Sequence, residues 1–76
     1  MTKETSLYVK LSGNDAILTL DSAYKIVTAL LHADAHIELN ISIGEEKDKL
    51  IEIGPMMTLK AYKFLESLVG EQKSCN

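Results

Sequence analysis

The sequence contains no arginine. Its eight basic residues are all lysine, set against eleven acidic residues for a net charge of −3. Arginine supplies the planar, bidentate fork that reads phosphates, carboxylates and guanine edges. Its absence counts against a sequence-specific nucleic-acid reader, and direct nucleic-acid binding is not expected. Cysteine is nearly absent as well. Cys75 is the only one, so no disulfide can form within a monomer, and the usage fits a reducing compartment better than a stapled secreted domain. No apolar run approaches the ~20 residues that span a bilayer. Met1 to Ser6 is polar and lacks the apolar core of a signal peptide. The expected location is the cytoplasm, with no membrane partner.

The constellations that carry chemistry are also missing. Nucleophilic catalysis needs a base beside Ser, Thr or Cys, but no serine sits in a G-x-S-x-G elbow and Cys75 lies in a polar tail. Gly13 and Gly44 are isolated, so no phosphate-cradling loop is present. His32-Ala33-Asp34-Ala35-His36 holds three possible metal ligands. They fall on a helix end, a connection and a strand start, with no third histidine and no HExxH-type spacing. No catalytic, cofactor-binding or metal residues are assigned, and an enzyme is not expected.

A chain of 76 residues makes one small domain, 1–76, that buries only ~60–65% of its unfolded surface. Net stability of ~3–5 kcal/mol is the usual consequence. Homodimerisation is a common remedy and is expected here. Residues 1–5 and 71–76 read as flexible tails.

What is present is a repeated pattern. Ala23, Ile26, Val27, Leu30 and Leu31 recur at helical spacing, and Ala61, Phe64, Leu65, Leu68 and Val69 repeat that spacing 38 positions later. Each stripe follows two alternating apolar segments. The spacing predicts strands over about 7–12 and 16–20, then a helix capped by Asp21 or Ser22 and ending near Ala33. It then predicts strands over about 36–43 and 50–53, and a last helix from an N-cap at Thr58 to Gly70. Gly54-Pro55 is read as the stop after the fourth strand, because proline cannot donate to a ladder.

The halves 7–34 and 37–70 align as a pseudo-repeat. Leu7, Val9 and Leu11 match Leu39, Ile41 and Ile43; Leu18 and Leu20, expected inward, match Ile51 and Ile53, also expected inward; Tyr24-Lys25 matches Tyr62-Lys63. The second strand–helix junction is longer by Gly54 to Thr58. The expected architecture is an α+β two-layer sandwich in ββαββα order. It is a four-stranded antiparallel sheet, order 2-1-3-4, with both helices on one face.

That leaves a sheet face without helices. Its expected outward residues are Tyr8, Lys10, Ile17, Thr19, His36, Glu38, Asn40, Ser42, Leu50 and Glu52. One aromatic and one lysine are too few for base stacking, and the glutamates repel phosphate. An aromatic anchor with a polar surround is the composition of a protein interface. Met56-Met57 is a second docking candidate, since methionine adapts to many surfaces.

The expected role is a non-enzymatic interaction module, a regulator or inhibitor that occludes another protein. Phage-encoded and mobile-element inhibitors share its size and acidity, an analogy rather than a sequence match. One alternative is mimicry of nucleic acid by Glu38, Glu45, Glu46, Asp48 and Glu52. Another is a ligand-binding or enzymatic site built at a homodimer interface, where Tyr8 and His36 of two subunits would converge.

Overall fold

The computed structural model describes residues 7–12 and 16–73. Four strands and two helices follow in the expected order: β1 (Tyr8–Leu11), β2 (Ile17–Thr19), α1 (Leu20–His32), β3 (Glu38–Gly44), β4 (Ile51–Met57) and α2 (Thr58–Lys73). The sheet order is β2-β1-β3-β4 and every pair is antiparallel. Val9, Leu11, Leu39 and Ile41 alternate onto one face of the central strands. There they pack with Leu20, Ala23 and Val27 of α1 and with Ala61 and Leu65 of α2. The fold is the α+β sandwich that the periodicity implies.

The helix boundaries differ from expectation for identifiable reasons. Leu20 N–H donates to the Leu7 carbonyl at 2.9 Å, so the last sheet bond belongs to the first helical residue. The cap is therefore Thr19, whose hydroxyl accepts from Ser22 N–H at 3.2 Å, and not Asp21 or Ser22. Asp21 sits in the first turn and pairs with Lys25 at 3.4 Å. At the other end Asp34 adopts φ 64°, the left-handed position that often closes a helix. Its N–H bonds the Leu31 carbonyl at 3.0 Å.

Thr58 opens α2 but does not act as the expected N-cap. Its buried hydroxyl accepts from Ile37 N–H at 2.9 Å and donates to the Ile37 carbonyl at 3.2 Å. It pins the start of α2 to the connection entering β3. Gly70 does not stop α2, which runs on to Lys73, so residues 71–73 are helical rather than tail. Residues 1–5, and Cys75 within 74–76, lie outside the described residues.

The fourth strand departs furthest from the sequence pattern. It runs through Gly54-Pro55 to Met57, because an edge strand tolerates proline. Pro55 faces Asn40, Met56 faces Leu39 and Met57 faces Glu38. In the first half Ile17 faces Lys10, Leu18 faces Val9 and Thr19 faces Tyr8. The two sets superpose with β1 and β3 30 residues apart, and β2 and β4 38 apart. The helices share that offset of 38, and Tyr24 and Tyr62 stack across it with centroids 5.6 Å apart. Leu18 therefore corresponds to Met56 and not to Ile51. The second half's extra residues lie inside the β3–β4 hairpin, not at the strand–helix junction. Residues 42–54 stand where the first half has only 12–16.

Candidate functional site

The extended hairpin carries an apolar surface that no helix covers. Ile43 lies directly opposite Ile51 in the ladder, and alternation with Leu39 and Ile41 places both on the helix-bearing face. A register shift in β3–β4 lies between the Ile41–Gly54 and Ser42–Glu52 pairs, leaving Ile53 as the additional residue of a bulge. Ile51 is 69% exposed and Ile53 42% exposed, whereas Leu39 and Ile41 are buried. Together with Leu7 and Ile43 they floor an open groove of about 480 Å³, rimmed by Glu45, Glu46 and Lys49. No residue of either helix lines it.

The turn that shapes this groove is tightly built. A Cβ at Gly44 would run into the Lys49 carbonyl oxygen and approach Leu50 Cα to 3.1 Å. Only glycine lets the turn close there. Lys49 pairs with Glu46 at 3.4 Å. Lys47 reaches the opposite side of the sheet and lies 5.6 Å from the Tyr8 ring centroid. Both lysines of the turn are thus engaged. Glu45 and Asp48 have no ion pair among the described residues.

The residues expected on the helix-free face divide into those that gather there and those that do not. Tyr8, Lys10, Ile17, Glu38, Asn40 and Glu52 share it by register, and Met57 joins them opposite Glu38. Leu50 does not: it is a half-buried turn residue before β4. His36 precedes β3 rather than starting it, and its Nε2 lies 3.3 Å from Asp34 Oδ1 on the surface. Met56 and Met57 separate onto opposite faces because both lie in a strand. Met56 packs against the core and Met57 is half exposed.

Ile51 and Ile53 were expected inward. They do face the helix side, but the sheet extends past its helical cover. This is the surface that periodicity alone misses. Alternation tells which side a residue takes, not whether another element lies above it.

Other constellations remain dispersed. Glu38 lies four residues along β3 from the Ser42–Glu52 pair, roughly 13 Å, so the five carboxylates do not form one patch. Within one chain Tyr8 faces Gly44 at the end of β3 while His36 lies before its start, so the two could meet only between two subunits. Among the described residues no three His, Cys, Asp or Glu side chains gather as a metal site, and no helix is long and apolar enough to cross a membrane.

The Tyr62 phenol stacks on Tyr24. Its pKa is pushed up to about 12 from 10.0, first by the Tyr24 phenol beside it and then by the Glu66 charge. Its hydroxyl donates to Glu66 Oε2 at 3.4 Å. The Tyr24–Tyr62 stack lies across the helix seam, away from the groove, and ties α1 to α2.

Comparison with known proteins finds no family model, no curated protein and no solved structure that matches this chain.

Proposed function

We propose that this protein is a non-enzymatic interaction module, a regulator or inhibitor that docks on another protein through the groove of its extended β3–β4 hairpin. One observation carries the reading: Ile51 and Ile53 are exposed on the side of the sheet that elsewhere forms the core. The pseudo-symmetric scaffold closes without residues 42–54 being so long, since 12–16 serve the same connection in the first half. The additional length leaves Ile51 and Ile53 uncovered by any helix, and exposed apolar area of this kind marks interaction sites. Occlusion of the partner's own working surface is the mechanism such a module uses.

The reading moves the docking surface from the helix-free face to the groove. The helix-free face is mixed and polar, and its aromatic anchor, Tyr8, already lies beneath Lys47. The test is affinity capture with wild-type protein, with Ile51→Asp and with Ile17→Asp, which alters the helix-free face. Capture of one stoichiometric protein by wild type and Ile17→Asp, but not by folded Ile51→Asp, supports the groove. Capture lost with Ile17→Asp and kept with Ile51→Asp assigns docking to the other face instead.

A further inference from the structure

We infer that the groove takes an amphipathic segment of a partner protein, with apolar anchors flanked by basic residues, rather than a second copy of this chain. This rests on the groove being the docking surface. The charge of the hairpin carries the inference. The charged residues that rim the groove are Glu45, Glu46 and Lys49; Glu52 and Lys47 lie on the opposite side of the sheet. Lys49 pairs with Glu46, so the uncompensated charge at the rim beside Ile51 and Ile53 is the Glu45 carboxylate.

A second copy docking hairpin to hairpin would bring this carboxylate against its own kind, and like charges across an interface are costly. A segment with Lys or Arg beside its apolar anchors meets Glu45 instead. Nucleic acid is excluded as occupant by the same carboxylate, which repels phosphate.

The mode of docking follows from the edge. β4 is the outer strand on this side, and a bare edge invites strand addition. This edge is interrupted by the bulge at Ile53, by Gly54 at φ 124° and by Pro55, which has no N–H to offer. A continuous added strand has no ladder to follow beyond Ile51–Ile53. Side chains entering the groove do not need one. An amphipathic helix laid into an apolar groove meets these conditions.

The experiment uses two synthetic peptides of identical leucine pattern, one with lysine and one with glutamate at every polar position. Each is titrated into the full chain while the isoleucine methyl resonances are followed by NMR, with the oligomeric state measured by light scattering. The expected result is binding of the lysine peptide about tenfold or more tightly than the glutamate peptide. Shifts should concentrate at Ile43, Ile51 and Ile53, and affinity should fall from ~0.05 to ~0.5 M salt. Equal binding of both peptides at those methyls overturns the charge inference and leaves the groove as a docking site. Concentration-dependent self-association that shifts the same methyls without peptide overturns it in favour of a second copy. Peptide binding elsewhere, or none with the chain monomeric, overturns both readings.

Discussion

Ile51 and Ile43 face each other across the β3–β4 ladder on the side of the sheet that carries the helices, yet Ile51 is 69% exposed. A core residue is held by packing on all sides; Ile51 leaves most of its surface uncovered. Ile51→Thr keeps the β-branch and is expected to change unfolding free energy by less than about 0.5 kcal/mol. Ile41→Val, at a fully buried position on the neighbouring strand β3, is expected to cost ~0.5–1.5 kcal/mol. Urea unfolding of both variants checks the contrast. A larger loss at Ile51 than at Ile41 would mean that the groove belongs to the core.

Thr58 is the second point on which the scaffold depends. Its hydroxyl serves both the N–H and the carbonyl of Ile37 from a fully buried position. Thr58→Val has nearly the same shape but leaves both groups of Ile37 without that partner. The expected cost is ~1–3 kcal/mol, a large part of the stability of so small a domain, read as a lowered denaturation midpoint. A Thr58→Ser variant, which keeps the hydroxyl, should lose less.

Gly70 offers a change of opposite sign. It lies inside α2, and a Cβ there meets nothing within 4 Å. Glycine in a helix interior costs ~0.5–1 kcal/mol relative to alanine. Gly70→Ala should therefore stabilise the protein by about that amount, seen as a higher midpoint in thermal unfolding. A lower midpoint would mean that α2 ends at Gly70.

The architecture was legible in the sequence because its signals are local and redundant. Alternation over Tyr8–Leu11 and Glu38–Ile43 and the two helical stripes gave strand number, helix number and layer. The strand order 2-1-3-4 followed from treating the halves as related by a twofold axis. What was not legible depended on contacts distant in sequence. The N-cap fell on Thr19 because Leu7 claims the next N–H, and Thr58 turned from its own helix to Ile37. Gly54-Pro55 looked like a stop, but position at the sheet edge removed the penalty. That single misreading displaced the second half's additional residues from the hairpin to the helix junction. With them went the site, since Ile51 and Ile53 then read as ordinary core.

The Tyr24–Tyr62 stack makes a prediction in alkaline solution. The pKa of Tyr62 stands at about 12, above its ordinary 10.0. A group whose pKa is raised on folding contributes stability that is complete below the unfolded value and lost as pH climbs toward the folded one. Stability should therefore fall between pH 10.0 and about 12. Absorbance titration should show a phenol ionising near the top of that window, and Tyr24→Phe should bring it down. An unchanged Tyr62 titration in that variant would remove Tyr24 as the leading cause.

Docking in the groove is tested by a photo-reactive amino acid placed at position 51, and separately at position 17 on the opposite face, in otherwise unaltered protein. Irradiation in lysate should give a discrete crosslink to one other protein from position 51 and none from position 17. A crosslink from position 17 alone, or only a crosslinked pair of this chain from position 51, would contradict docking of a partner in the groove.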